Sequence, residues 1–208
     1  MKIVFISDTH GLHQKLKELS GDIIIHAGDI SNRGSVEEIN DFLNWFKSLN
    51  FDYKVFIAGN HDFHLEQIHE YELEKLIPED VIYLNDSGTK INDLKIWGSP
   101  IQPWFHNWAF NRKRGPQIKK HWDLIPNDTD ILVTNGPPLD ILDKTINGEN
   151  VGCVDLLNKI RVVKPIIHVF GHIHEDYGIK IINGTQFLNA SVMNEKYIIS
   201  TAPIIVEI

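Results

Sequence analysis

Residues 54–62, KVFIAGNHD, are almost continuously apolar from Lys54 to Ala58 and then turn on Gly59-Asn60-His61-Asp62. The same cadence opens the chain at 3–10, IVFISDTH, with its apolar run from Ile3 to Ile6, and recurs at 23–29, IIIHAGD, with its run from Ile23 to Ala27. Runs of this kind, β-branched or aromatic and nearly unbroken, suit strands covered on both faces. Helical patterns separate them. Ser35 can cap a helix that carries Val36, Ile39, Phe42, Leu43 and Phe46 at spacings of three and four, and Glu38, three residues after the cap, completes a capping box. Residues 63–77 read as another helix. Strand, helix, strand, helix, strand predicts right-handed βαβ units and a mostly parallel sheet in the first third of the chain.

Further along, Val81–Leu84, Thr89–Asn92 and Leu94–Trp97 alternate in polarity and are broken by Asp86-Ser87-Gly88 and Asn92-Asp93, which predicts antiparallel strands. Residues 99–116, SPIQPWFHNWAFNRKRGP, combine aromatics, prolines and three consecutive basic side chains without a period, and read as a long functional loop. A helix near 116–124, a strand Ile131–Thr134, a helix Val151–Ile160, a strand Ile166–Phe170 and a meander through 177–207 complete the chain. No linker, repeat or low-complexity segment interrupts it.

Composition narrows the function classes. The chain has 208 residues, 42% hydrophobic and 23% charged, the balance of a globular protein with a sizeable core, and one domain over 1–208 is the expectation. It has no run of about 20 apolar residues and no basic, cleavable leader, so a cytoplasmic protein with no membrane association is expected. Cys153 is the lone cysteine, which excludes an internal disulfide and a Cys-based zinc site. Any metal must be held by His, Asp, Glu or Asn. A net charge of −8 argues against long nucleic acid as a partner, while small anions remain possible if the protein brings its own cations.

Four turns follow apolar strands directly: Asp8-Thr9-His10, Gly28-Asp29, Gly59-Asn60-His61-Asp62 and Gly171-His172-Ile173-His174. In open α/β sheets the crevice beyond the carboxyl ends of the strands is where ligands bind, so four separated segments can converge on one site. Their mixed oxygen and nitrogen donors suit divalent Mn, Fe or Zn and are too many for one ion. Asp8 and His10, two apart on an extended segment, can point to one side and grip one ion, as can His172 and His174. Asp29 is the central carboxylate that could bridge two cations. The glycines let the backbone turn and let metal or substrate approach. Each piece has a bland counterpart, since Asp-x-His, Gly-Asp and Gly-Asn-His-Asp are all ordinary turns. The four together, each at the end of an apolar run, are not accounted for by turn chemistry. His26 and His168 lie inside strands and read as core residues. His64, His69 and His121 read as helix-surface residues.

With these motifs the chain resembles the calcineurin-like metallophosphoesterases, whose signature runs D-x-H, G-D, G-N-H-[DE], a later His-containing turn, and G-H-x-H. The resemblance extends over the whole chain. Residues 25–29 IHAGD, 57–61 IAGNH, 83–88 YLNDSG, 98–105 GSPIQPWF, 135–139 NGPPL, 151–158 VGCVDLLN, 168–175 HVFGHIHE and 189–192 NASV look like those of the metallophosphoesterase-domain-containing group, which is class III phosphodiesterase-like. The resemblance implies an α/β fold of two packed mixed β-sheets flanked by helices, with a dimetal site at the strand C-terminal ends. It implies two divalent metal ions, Mn²⁺ first, with Fe or Zn as alternatives. Asp8, His10 and His174 would hold the first, Asp29 would bridge, and Asn60 and His172 would hold the second. His61 would protonate or stabilise the leaving group, with Asp62 orienting or tuning its imidazole.

One position departs from the pattern. Where the fourth turn of the family reads T-H-G-P-P, this chain has Thr134-Asn135-Gly136-Pro137-Pro138, so Asn135 stands where a His is expected on the second metal. An amide oxygen is a weaker donor than imidazole for the softer metals. The expected function is a metal-dependent phosphodiesterase in which a hydroxide held between two metals attacks small diesters or cyclic nucleotides. The alternative is a nucleotide-binding protein on the same scaffold with weak or lost catalysis because of Asn135. A nuclease is disfavoured by the lack of a basic face. In the aromatic loop, Trp104 or Phe105 is expected near a nucleobase, and Arg112, Lys113 or Arg114 at the cleft rim.

Overall fold

The three opening runs form Lys2–Ile6 (β1), Ile23–Ala27 (β2) and Tyr53–Ile57 (β3), paired in parallel with Ile3 opposite Ile23 and Ile23 opposite Tyr53. In this computed structural model, which describes residues 1–17 and 19–208, Val81–Tyr83 (β4) extends the sheet in parallel beside β3. Ile204–Glu207 (β13) closes the other edge antiparallel to β1. A second sheet runs in the order Gly178–Ile182 (β11), Thr185–Asn189 (β12), Ile167–Phe170 (β10), Ile131–Thr134 (β9), Leu94–Ser99 (β6), Ser87–Ile91 (β5). Its inner joins are parallel and its two edge pairs antiparallel, so both sheets are mixed. Gln102–Pro103 (β7) and Asn111–Arg112 (β8) form a short parallel ribbon.

Alternate residues of each strand serve two cores. Ile3, Phe5, Val55 and Ile57 of the first sheet meet Ile131, Val133, Val169 and Leu188 of the second, which is the sheet-on-sheet layer. Val4, Ile6, Ile24 and Phe56 face outward onto Val36–Ser48 (α1), whose Phe42 and Phe46 stack with ring centroids 5.0 Å apart. Leu132 and Phe170 belong to the same outward core as Leu156 and Ile160 of Val154–Val163 (α5). That two-sided demand is why the strands read as continuous apolar runs, and each such buried side chain is worth about 1.5–3 kcal/mol. The Ser35–Glu38 capping box is formed as the spacing predicts.

The structure corrects several expectations. Residues 63–77 are two helices, Phe63–Gln67 (α2) and Glu70–Leu76 (α3), because Ile68 and His69 are extended. The second of these buries no residue, so no continuous apolar stripe holds the segment as one helix. Val81–Leu84 contributes a parallel strand to the first sheet; only β5 and β6 form the antiparallel hairpin. α5 starts at Val154 because the backbone before it is engaged elsewhere, Val151 N–H with Asp143 O and Cys153 N–H with Pro137 O. The expected meander splits, β11 and β12 joining the second sheet and β13 crossing to the first. The loop 99–116 contains the β7–β8 ribbon and leads into Pro116–Trp122 (α4). Among the described residues no helix is long and apolar enough to cross a membrane.

Candidate metal centre

All four motif turns meet where the two sheets come together. Asp8 and His10 follow β1, Asp29 follows β2, Asn60 and His61 follow β3, and His172 and His174 follow β10. Asp8, His10, Asp29 and His172 have φ of 56°, 41°, 55° and 68°. The expected pairing of Asp8 with His10 and of His172 with His174 on extended segments is therefore corrected: left-handed backbone at three of these four residues turns the side chains back over the strand ends, and His174 opens a 3₁₀ turn. Such conformations cost about 1–3 kcal/mol each and persist where surroundings over-determine them. Here Asp8 N–H is held by Gly28 O at 3.0 Å and His10 N–H by Asp29 O at 3.1 Å. Two glycines make room for carboxylates: a methyl at Gly171 would overlap Asp8 Oδ2, and one at Gly59 would overlap Asp29 Oδ1.

His10 Nε2 and His174 Nε2 lie 3.3 Å apart, and Asp8 Oδ1 is 3.9 Å from the first and 3.3 Å from the second. The outer nitrogen of each ring is committed, His10 Nδ1–H to Ser31 O at 3.2 Å and His174 Nδ1–H to Asn194 O at 3.0 Å. That leaves Nε2 of each ring aimed at the same point as the carboxylate, where a bound cation would take its lone pair. Burial opposes charge on His174, but its hydrogen bond to Asp8 and that residue's charge outweigh this and raise it to about 9. Burial drives His10 the other way, down to about 4. The cluster demands one positive charge at its centre, and three converging donors in this geometry fit a divalent cation.

Around Asp29 the donors are different. His172 Nδ1 is 3.9 Å from Asp29 Oδ2, and His61 N–H donates to Asp29 Oδ1 at 2.9 Å. Burial works against ionisation of Asp8 and Asp29, yet the surrounding imidazoles hold both below the usual carboxylate range. Asn60 Oδ1 and both side-chain polar atoms of Asn135 are buried with no hydrogen-bond partner in the protein. Buried amides are almost always satisfied, so the two orphaned amide oxygens, Asn60 Oδ1 and Asn135 Oδ1, beside a buried carboxylate fit a second cation. Asp8, His10 and His174 form one compact trio of donors, and His10, Asp29 and His61 form another.

Asp62 does not orient the imidazole of His61. Its carboxylate accepts from Gly59 N–H at 2.7 Å, Ser31 N–H at 2.9 Å, Ile30 N–H at 3.2 Å and Ser31 Oγ–H at 2.5 Å, tying the second and third turns together. Burial and the nearby Asp29 push Asp62 up to about 7 against the pull of these bonds. The ring of His61 is oriented by Asn32 O, 2.7 Å from Nδ1.

Two aromatic neighbours escaped the sequence reading. Trp108 stacks on His61 at 4.4 Å and 29°, and Ala109 N–H donates to Asn60 O at 3.1 Å, docking the aromatic loop on the third turn. Tyr197 stands edge-on to His10 at 4.9 Å and His174 at 5.2 Å. No strand-end motif marks either residue. The cue for Trp108 was its place in the aperiodic loop.

A cleft of about 520 Å³ opens beside His172 and Gly136, and Trp104, Phe105 and Arg114 line it. Arg112 and Lys113 do not; Arg112 pairs with Glu66 at 3.1 Å, which corrects the expectation of a rim cation there. His26 and His168 are core residues as read, bonded to Thr9 at 3.0 Å and Thr134 at 2.8 Å. His121 is not a free surface residue, its Nδ1 lying 2.6 Å from Asp86.

Residues 1–176 match the Calcineurin-like phosphoesterase family model. The chain is 40% identical to human Metallophosphoesterase domain-containing protein 1 over all of its own length and 71% of that protein's. It is 36% identical to a UPF0046 protein of Caenorhabditis elegans over 99% of this chain and 74% of the other. Among solved structures, the phosphopantetheinyl hydrolase of Mycobacterium tuberculosis superposes with a TM-score of 0.65 at 15% identity, covering 94% of this chain and 90% of that one, a likeness of fold. The donor cluster at the sheet junction, the family match and the full-length relatives agree: this chain belongs to the calcineurin-like phosphoesterase family of metal-dependent phosphate-ester hydrolases.

Proposed function

We propose that the chain is a phosphodiesterase acting on small organic diesters, cyclic nucleotides included, and that residues 1–208 work as a single domain. The observation that carries this is the convergence of the Asp8, His10 and His174 donors on one point, with the unsatisfied amides of Asn60 and Asn135 beside Asp29. Asp8, His10 and His174 would hold one cation, Asp29 would be shared, and Asn60, Asn135 and His172 would hold the other. Two divalent ions, Mn²⁺ first and Fe or Zn as alternatives, supply Lewis acidity toward water and the phosphoryl oxygens when bound.

The rest of the chemistry belongs to the chain. His61 keeps Nδ1 on Asn32 O, which leaves Nε2 to deliver a proton to the departing alkoxide. Asp62 holds the turns that carry Asp29 and His61 in register. A diester is favoured over a monoester because the cleft offers little to clamp a further negative charge: Arg114 already donates to Val151 O at 2.7 Å and Gly152 O at 2.8 Å. The second reading, a nucleotide-binding relative with little turnover, draws on Asn135 alone. Metal analysis paired with turnover of bis(p-nitrophenyl) phosphate separates the two. Two bound ions with multiple turnovers support the enzyme; tight nucleotide binding without turnover at saturating Mn²⁺ supports the binder.

A further inference from the structure

The cleft that leads away from His172 has a chemistry the reacting centre does not explain. Trp104 and Phe105 are each 57% exposed and Ile146 is 71% exposed, and all three line it. Large apolar side chains left open to solvent in one concavity mark a binding surface more than a core. Two carboxylates, Glu149 and Glu175, share the same walls. One oxygen of Glu175 accepts Ile146 N–H at 3.1 Å, which fixes that carboxylate in place. The cleft's lone lysine or arginine is Arg114, whose guanidinium is turned onto the carbonyls of Val151 and Gly152.

We infer that the cleft receives the alcohol portion of a phosphodiester that carries a positive charge, a quaternary ammonium or protonated amine, making the substrate a net-neutral zwitterion. This rests on the phosphodiesterase reading and narrows its substrate class. Aromatic faces attract organic cations through their quadrupole, and the attraction grows as the cation sheds water. The two carboxylates add Coulomb attraction that one preoccupied guanidinium does not cancel. The same walls repel a second anion, so a diester with an additional phosphate is a poor fit. The chain as a whole points the same way: at net charge −8 it slows the approach of anions but leaves a zwitterion unaffected.

A matched pair of substrates isolates the charge. p-Nitrophenyl phosphorylcholine and p-nitrophenyl 3,3-dimethylbutyl phosphate share a leaving group and a shape and differ in one nitrogen for carbon. The expected result with Mn²⁺ is a kcat/KM about tenfold higher for the choline ester, the ratio that 1.4 kcal/mol represents. Glu149→Gln with Glu175→Gln should bring the ratio toward one, and Trp104→Leu should lower it. Equal rates for the two esters, or preference for the neutral one, overturn the proposal while leaving the phosphodiesterase reading intact. If neither ester nor bis(p-nitrophenyl) phosphate is hydrolysed, the phosphodiesterase reading fails, and equilibrium binding then decides the cleft. Choline should perturb the fluorescence of the full chain without added metal, 3,3-dimethylbutan-1-ol should not, and Trp104→Leu should abolish the response. Equal responses to both, or none to choline, overturn the inference.

Discussion

Asn135→His restores an imidazole where the family carries one, and its effect can be sized from what surrounds the amide. Asn135 follows β9, is fully buried, and packs its amide nitrogen over Gly28 and Gly59, where a methyl on either glycine would crowd it. Neither amide atom has a partner, and an unsatisfied buried polar group costs about 1–3 kcal/mol. At the second position an amide oxygen would join Asp29, Asn60 and His172; the variant exchanges it for a stronger nitrogen donor. Loss of even an outer partner typically lowers metal affinity or activity about 10- to 100-fold, so gaining a direct ligand should improve the second site by at least that range, about 1.4–2.7 kcal/mol. The assay is a Mn²⁺ titration of both proteins, following diester hydrolysis and, by equilibrium dialysis, bound metal. The variant should bind its second ion at a 10- to 100-fold lower midpoint and turn over faster, with the first ion unaffected. The same midpoint and the same maximal rate in both proteins would refute the placement of Asn135 at the second metal.

Asp29 and His61 should fail differently: Asp29→Ala loses bound metal together with activity, whereas His61→Ala keeps metal and loses about 10²- to 10⁴-fold in kcat on alkyl diesters, with a smaller loss on p-nitrophenyl esters. Equal losses for good and poor leaving groups count against the acid role. Trp108→Leu, which removes the ring stacked on His61, should lower kcat on alkyl diesters several-fold with metal content unchanged, and Trp108→Phe should recover most of it; an effect on KM alone would point to substrate packing instead. His168 is fully buried, and burial lowers it to about 3. The unfolded chain takes up that proton near pH 6.5 while the folded chain does not, so stability is unaffected above 6.5 and falls toward pH 3 by about 1.4 kcal/mol per unit. Urea unfolding of His168→Gln, which keeps a partner for Thr134, should show a shallower loss between pH 6 and 4.

The strands and the polar turns that converge at their ends were legible for the same reason. A strand buried on both faces must be apolar at every position, and the chain then has to stop abruptly at the site, so Ile6, Ala27, Ala58 and Phe170 each hand over within two residues to polar turn chemistry. The local backbone was not legible. Asp8-x-His10 looks extended as a string, and only the surrounding bonds to Gly28 and Asp29 reveal a left-handed turn that no propensity of Asp or His dictates. The surroundings of Asp62 were not legible: the resemblance implies that it orients His61, whereas its carboxylate is taken up by the backbone N–H groups of Ile30, Ser31 and Gly59. Trp108 and Tyr197 reach the site from loops whose path depends on tertiary docking, Tyr197 through a tight turn that Asn194 closes by accepting Lys196 and Ile198 N–H. The crossing of β13 to the first sheet is of the same kind, since nothing in residues 204–207 distinguishes an edge partner for β1 from a further strand of the hairpin.

Metal binding should also stabilise the fold, because the donors come from both sheets. Asp8 and His10 hang from β1, while His172 and His174 hang from β10, and at this end of the apolar sheet-on-sheet layer Val192 N–H donates to Ser7 O at 3.0 Å and His172 N–H to both oxygens of Asp8 at 3.0 Å. An ion held by Asp8, His10 and His174 exists only when the two sheets are packed, so it binds the native state and not the unfolded chain. At a free metal concentration 100 times Kd this adds about 2.7 kcal/mol. For a chain of this size each kcal/mol raises Tm by about 2–4 °C, which gives about 5–11 °C. Thermal unfolding in EDTA and in Mn²⁺ measures the difference directly. Asp8→Asn should remove most of the increment, because the amide retains a hydrogen-bond acceptor for His172 N–H but loses the negative charge that holds the cation. An unchanged Mn²⁺ increment in Asp8→Asn would place the stabilising ion away from the sheet junction and sever the link drawn here between the site and the packing of the two sheets.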